Sequence, residues 1–493
     1  MIPLSVGAIA QITGARLTAA QLTGAQLTGA QLTGAQVAGG TLGQEPDPAV
    51  LVTGPVVIDS RDAVPGALFA ALPGTRVDGH DFAAQAVAAG AAAVLATRPC
   101  GTAALIVPDV TEALGRLARA VVDALPSLRI AGITGSAGKT TTKDLAAQLV
   151  ERLGPTIAPA GSFNNEFGHP LTVLRADAAT RYLVLELSAR GPGHIAYLCR
   201  VAPPRHGVVL NVGHAHAGEF GGLDQVARAK GELVEALPAG GAAILNADDP
   251  RVLAMAARTA ARVVTFGVDD RTAPIQAAEV RAAGVRLDDL GRPSFTLLTP
   301  EGQAEVTLRL HGAHTVPDAV AAAALARELG LGLADIADGL SAAVARSRWR
   351  MEVRRREDGV TVINDAYNAN PESVRAALDA LRHLAHDGRG FAILGHMAEL
   401  GEVSRASHED IGEFAARAEL AGLIAVGEDA EPILAGARRV RSWTGEALAV
   451  PDGHAALQAL SNQLKPGDVV LVKASRAAHL EGVAADLLEG AAR

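Results

Sequence analysis

From residue 50 onward, short apolar runs bounded by glycine or polar residues alternate with alanine-rich stretches of helical period. Between 50 and 125, VVIDSRD, ALFAAL and AAAVLA read as strands, and Phe82 to Ala89 and Glu112 to Ala124 as helices. Pro126-Ser127 offers a boundary. From 128 to about 345 the strands are LRIAGIT, YLVLELS, HGVVLNV and GAAILNA, with one helix opening at Thr140 and another over Pro317 to Leu329. After Arg350 a further block carries VTVIND, GFAILG, GLIAVG and DVVLVKA. Strands alternating with helices predict α/β architecture and mostly parallel sheets. The expected division is three α/β domains, over 1–126, 127–345 and 346–493.

The amino-terminal block has a different rhythm. Leu17, Leu22, Leu27, Leu32 and Val37 recur every five residues in LTAAQ LTGAQ LTGAQ LTGAQ V. Pentapeptide repeats can wind a four-sided β-helix, but a solenoid needs several stacked coils to bury its core. About one coil is present, so the 17–40 segment is expected to be an inserted loop or hairpin.

Composition narrows the function. Of the 493 residues, 49% are hydrophobic, enough to bury a large core. No run of about 18 apolar residues occurs, so no membrane span is expected. The start MIPLSVGAIAQITG lacks an early basic residue and does not read as a secretory signal. A net charge of −9 argues against nucleic acid as the main partner, because phosphate backbones recruit positive surfaces. Cys100 and Cys199 alone exclude a disulfide scaffold or thiolate zinc cluster and suit a cytoplasmic location. The cations are 39 arginines and five lysines: Lys139, Lys143, Lys230, Lys465 and Lys473. A lysine retained in so arginine-rich a chain points to a position where arginine cannot substitute.

The strongest motif runs from Gly132 to Thr142, GITGSAGKTTT, between an apolar strand and a helix. Its glycines let successive amides converge on one anion, and the helix amino end adds positive partial charge. Gly135, Ser136, Ala137, Gly138, Lys139, Thr140 and Thr141 are the expected phosphate cradle. Lys139 would reach the terminal phosphates, and the Thr140 hydroxyl would ligate Mg²⁺. The spacing is Gly-x-x-Gly-x-x-Gly-Lys-Thr, with Ile133 where the strict motif has its first glycine. Glu186 ends the strand YLVLELS, and Asn211 to His216 follow HGVVLNV. Both would emerge at the carboxyl edge of a parallel sheet, where such folds bind ligands. That makes Glu186 and His214 or His216 candidate metal ligands, and Lys230 a lysine of interest on its helix.

Six segments, TGSAGKTTT, GSFNNEFGHPLTVL, LELSARGPGHIA, NVGHAHAGEFGGLDQVARAKGEL, INDAYNANPESVRAAL and LGHMAELGEVSRASH, occur in an order that resembles the Mur ligases. The resemblance covers residues from about 50 to the end. It implies a small amino-terminal α/β domain for a UDP-sugar peptide. It also implies a central phosphate-loop domain with helices on both faces, and a carboxyl-terminal Rossmann-like domain. The implied cofactors are ATP and Mg²⁺. The implied substrates are UDP-N-acetylmuramoyl-tripeptide and D-alanyl-D-alanine, used by a monomeric enzyme of cell-wall precursor synthesis. DAYNANP from Asp365 to Pro371, and the paired Asn164 and Asn165, carry that choice of substrates.

By the same resemblance, Lys139, Lys230, His216 and Arg350 would be catalytic. Thr140, Glu186, His216 and a carbamylated Lys230 would hold metal. His314, Asp365, Tyr367 and Asn368 would join the phosphate loop in binding nucleotide. Ser60, Arg61, Asp78 and His80 would meet the UDP-sugar. Asn164, Asn165, Ser188, Lys473, Ser475 and Arg476 would meet the peptide substrates. Thr315, Asp318, Ala217 and His396 depart from the usual family residues, although His314 is kept.

The chemistry implied is phosphoryl transfer from ATP to a carboxylate, followed by attack of an amine on the acyl phosphate. Other readings stay open at this point. They are a Mur-type ligase adding a single amino acid, a folylpolyglutamate synthase-like ligase, a phosphate-loop kinase, and a catalytically silent nucleotide-binding protein.

Overall fold

The computed structural model describes residues 1–19, 45–74, 77–213, 222–269, 278–461 and 463–490, and the backbone at 36–37 and 40–41. Three main sheets follow one another along the chain. The first has five strands in the order Arg16–Thr18, Ala104–Ile106, Ala93–Ala96, Leu68–Ala70, Val56–Val57. All its pairings are parallel except that of Arg16–Thr18. The expected strand VVIDSRD is only two residues long, because Asp59 accepts a hydrogen bond from Arg61 N–H and turns the chain into a 3₁₀ helix at Ser60–Asp62. Helix Val110–Asp123 begins earlier than expected, with Asp109 capping it through Glu112 N–H.

The second sheet has nine strands. Its parallel part runs Thr156–Ile157, Tyr182–Glu186, Arg129–Thr134, His206–Val209, Ala242–Asn246, Arg262–Val268, Val280–Leu287. Pro293–Thr299 and Gly302–Thr307 then extend it as an antiparallel meander. The expected strand–helix rhythm missed this extension. Burial alternates along it, as in a sheet with one wetted face, so it lacks the continuous apolar runs of the parallel strands. Helices Lys139–Val150 and Thr315–Glu328 pack together over one face.

The third sheet has six strands, ordered Glu352–Arg355, Thr361–Asn364, Val469–Lys473, Gly390–Gly395, Gly422–Val426, Glu446–Val450, and is parallel apart from the first pair. Apolar clusters cover both its faces and are built entirely from residues after 350. In contrast, one cluster runs from Val6 through Leu114 and Leu117 to Leu198 and Ala261, joining the first and second sheets through a shared core. Helix Val110–Asp123 mediates that junction, contacting helices Gly168–Val173 and His194–Val201.

The chain passes into the third sheet under tight restraint. Gln148 bonds both the N–H and the carbonyl of Val344, at 3.1 and 2.9 Å. Glu151 takes Arg346 through both guanidinium ends. Buried Lys143 and Asp144 hold Ser347 by its hydroxyl and its N–H. Beyond Ser347 the contact passes to the Arg350 side chain, which reaches Thr140 and Ser162, while Trp349 and Met351 take left-handed backbone, with φ of 57° and 50°. That conformation is costly for bulky residues and is kept only where surroundings impose it. In the 17–40 segment, Arg16–Thr18 forms the antiparallel edge strand of the first sheet. Gln36–Val37 pairs with Gly40–Thr41; the repeat between them lies outside the described residues.

Candidate active site

Strand Arg129–Thr134 delivers the chain to Gly135–Gly138, and helix Lys139–Val150 leaves it. Asn211, at the end of the neighbouring strand, shapes this loop. Its side-chain oxygen accepts the N–H groups of Ser136 and Ala137, both at 2.9 Å. Gly138 has φ of 80°, and a Cβ there would lie 2.2 Å from Asp318 Oδ1. Only glycine satisfies both the backbone and the close approach. Gly138→Ala is therefore expected to lose about 1–3 kcal/mol of stability and to weaken nucleotide binding tenfold or more. Thermal melts and nucleotide titration check this.

Lys139 Nζ donates to the carbonyls of Gly135, at 2.7 Å, and Ser136, at 3.4 Å. Burial lowers its pKa, partly offset by Glu186. Thr140 Oγ1 donates to Glu186 Oε2 at 3.0 Å and lies 3.0 Å from Ser162 Oγ. Asn164 Nδ2 donates to Glu186 Oε1 at 2.6 Å. Thus both oxygens of a buried carboxylate are oriented beside the loop hydroxyl. Arg350 reaches the same group from beyond the linker, with Nη2 at 3.2 Å from Ser162 Oγ and 3.4 Å from Thr140 Oγ1. Its guanidinium stacks over Tyr367, 4.2 Å from the ring centre.

Two cavities meet at this junction. A polar one of about 280 Å³ includes Lys139, Thr140, Asn164, Asn165, Glu186, Ser188, Tyr367, Asn368 and Arg476. A more apolar one of about 490 Å³ includes Leu210, Phe266, His314, Thr315, Asp318 and Asp365. The two share Ala137, Gly138, Thr141, Arg350 and Ser373. This pairing suits a nucleotide whose flat base occupies the larger cavity and whose phosphates cross the loop into the smaller.

Several expected residues serve the frame. Lys473 Nζ donates to Asp365 Oδ2 at 2.6 Å and to Asn368 O at 2.8 Å, and the buried side chain also borders the larger cavity. Ser475 accepts Ala398 N–H at 2.8 Å. Asn165 accepts Gly168 N–H at 2.9 Å, while its neighbour Asn164 points to Glu186. His80 is buried with both ring nitrogens engaged, at Asp78 and at Thr97. Arg61 pairs with Asp59, whose carboxyl it holds down at about 2. Ser60 Oγ donates to Gln85. None of Ser60, Arg61, Asp78 or His80 lines either cavity, although Ile58 shares a third, of about 400 Å³, with Ser162 and Tyr367.

Lys230 is buried on helix Leu223–Glu235 with no hydrogen-bond partner among the described residues. Burial, and then the charge of Lys139, push its pKa well below the ordinary lysine value. His214, His216 and Ala217 lie outside the described residues. Among the divergent positions, Asp318 accepts the Thr142 hydroxyl at 3.3 Å, and burial raises its pKa well above the usual carboxylate range. Thr315 donates to Gly312 O at 2.8 Å. His396 stacks on His408, with ring centres 5.1 Å apart. Sequence reasoning gave no role to Ser162 or Asn211; the former lies inside a quoted motif and the latter ends a predicted strand.

Comparison with known proteins gives three Mur ligase matches. The middle domain matches residues 133–326, the glutamate ligase domain 349–476, and the family's catalytic domain 55–122. A pentapeptide-repeat model matches residues 10–43. The UDP-N-acetylmuramoyl-tripeptide–D-alanyl-D-alanine ligase of Mycobacterium tuberculosis is 50% identical, over 88% of this chain and 92% of its own. That of Escherichia coli is 37% identical, over 88% and 93%. A crystal structure of MurF from Acinetobacter baumannii superposes with a TM-score of 0.81 at 31% identity, covering 99% of both chains. MurF ligase from Thermotoga maritima in complex with ADP gives 0.76 at 30% identity, covering 89% of this chain and 98% of that one.

Proposed function

The chain belongs to the Mur ligase family, and from that premise we propose how its residues perform the reaction. It is an ATP-dependent amide ligase joining D-alanyl-D-alanine to UDP-N-acetylmuramoyl-tripeptide, a step of peptidoglycan precursor synthesis. Identity of 50% to ligases of that name, sustained over 88% of the chain, carries the conclusion. No described helix is long and apolar enough to cross a membrane.

A carboxylate is a poor electrophile, so its oxygen must first become a leaving group. The terminal phosphoryl group of ATP passes to the carboxylate, giving an acyl phosphate. The amine nitrogen then bonds to the acyl carbon, and the C–O bond breaks with its electrons leaving on phosphate. Negative charge builds on oxygens in both steps. Lys139 and the loop amides are fixed close to where that charge develops, and Arg350 approaches from the third sheet. Helix Lys139–Val150 directs its positive end at the same place.

The oriented Glu186 carboxylate beside the Thr140 hydroxyl is a hard-oxygen pair that fits Mg²⁺. Among the described residues no group of three acidic, histidine or cysteine side chains supplements it. We assign Thr140 and Glu186 to that ion, with His216 and a carbamate on Lys230 as further ligands. Bound there, Mg²⁺ neutralises phosphate charge. A buried lysine amine with no hydrogen-bond partner among the described residues and a lowered pKa is disposed to react as the neutral nucleophile with CO₂, losing one proton. Isotopically labelled bicarbonate is expected to give a carbamate carbon signal in the native protein and none in Lys230→Arg. An identical spectrum for the two removes that ligand.

The remaining assignments follow the same reading. The nucleotide base lies by His314 and Asp365, the UDP-sugar near the first sheet, and the dipeptide by Arg476. The three sheets correspond to domains at 1–126, 127–345 and 346–493. Both cavities are completed within one chain, so a monomer suffices, and a cytoplasmic location accords with these substrates. The test is phosphate release with ATP, the UDP-linked tripeptide and each amine in turn. Release dependent on D-alanyl-D-alanine is expected. Release with single amino acids only, or with none, overturns the assignment.

A further inference from the structure

Three acidic side chains border the polar cavity, Glu166, Glu186 and Glu399. Glu399 lines the cavity together with Lys139, Glu186, Arg350 and Arg476. It is exposed, and its backbone is left-handed, with φ of 64°. Such conformations in residues other than glycine persist where the surroundings over-determine them, and they cluster at binding sites. Here the restraint is visible. Met397 N–H donates to His408 Nε2 at 2.9 Å, and Ala398 N–H to Ser475 Oγ at 2.8 Å. His408 is itself fixed by donating from Nδ1 to Ser404 O at 2.7 Å. Two side chains from separate elements thus hold the turn that presents Glu399 to the cavity.

Two of the cavity's other charges are committed to the phosphate loop. Glu186 gives one oxygen to Thr140 and the other to Asn164. Arg350 turns to Thr140 and Ser162. Glu399 and Arg476 both come from the third sheet's loops and border the same cavity. Arg476 is held in place by Trp349, 4.3 Å beneath it, and by Glu481 at 2.7 Å, yet stays about half exposed. An acid and a base on one small cavity complement a short zwitterion, with an ammonium at one end and a carboxylate at the other.

We propose that Glu399 docks the ammonium group of the incoming dipeptide while Arg476 faces its carboxylate. Glu399 is then a specificity-determining residue for the second substrate. The proposal rests on the ligase reading above and goes further by naming the group that receives the amine. It also gives the strained turn a purpose, since a helical or extended residue at this position would aim its side chain elsewhere.

Two variants test it. Glu399→Gln keeps the shape and removes the charge; Glu399→Gly removes the side chain and relieves the backbone, so misfolding does not obscure the result. In each, the KM for D-alanyl-D-alanine is expected to rise about 30-fold, the value of one charge-assisted hydrogen bond. The KM values for ATP and for the UDP-linked tripeptide should stay within about twofold of native. An unchanged dipeptide KM in both variants overturns the proposal. So does a parallel rise for all three substrates, or a fall in kcat alone, each of which marks a structural role. Native enzyme that forms no amide with any dipeptide overturns the ligase reading instead.

Discussion

Lys139→Ala is expected to lower kcat by about 10²- to 10³-fold, the typical loss when one preorganised charge-stabilising donor is removed. The reason is positional. The ammonium sits on the loop carbonyls of Gly135 and Ser136, within a few ångströms of the Thr140–Glu186 pair. It meets the developing charge of the phosphoryl group without having to move far. Burial already lowers its pKa, so its proton is held less firmly than that of a surface lysine, and an anionic neighbour would favour the charged form. The fold should survive, because the side chain lies in a polar cavity and fills no apolar core. Steady-state phosphate release and a thermal melt separate the two effects. Near-native turnover with intact folding would sink the mechanism.

Arg350→Ala is expected to cost about 10²-fold in kcat/KM. Arg350 is the described side chain of the 348–351 segment that reaches the phosphate-loop hydroxyl, through Thr140 and Ser162. It also stacks on Tyr367, so it joins the nucleotide-facing loop of the third sheet to the phosphate loop. Arg350→Lys should recover little, since an ammonium can neither fork nor stack in the same way. Full activity in the lysine variant would show that only charge matters at this position. Measuring KM for ATP apart from kcat tells whether the lost contact belonged to ground-state binding.

Much of this was legible in the chain. GITGSAGKTTT sits where it was expected, between strand Arg129–Thr134 and helix Lys139–Val150, because local glycine geometry and apolar periodicity decide both elements. The central strands likewise follow from compact apolar runs. The meander from Val280 to Thr307 was not legible. Its charged and polar residues face outward in alternation and hide the strand signal, and Gly284 and Gly291 break the run. Partnerships across long separations were also out of reach. Thr142 meets Asp318 across 176 positions, and Lys473 finds Asp365 across 108. The lysine in VLVKAS both borders a cleft and fastens a buried loop, and only the second role needs partners that the local sequence does not show. His80, fully engaged by Asp78 and Thr97, makes the same point for histidine.

The restraint on residues 344–347 has a mechanical corollary. With that stretch fastened to the phosphate-loop helix, any swing of the carboxyl-terminal lobe must turn about Arg348–Met351. Arg350 lies on the pivot itself, and Arg476, stacked 4.3 Å over Trp349, sits close beside it. Paired spectroscopic labels on the two lobes should therefore show a wide arc at the outer strand Glu446–Val450 and almost none beside Arg348–Met351.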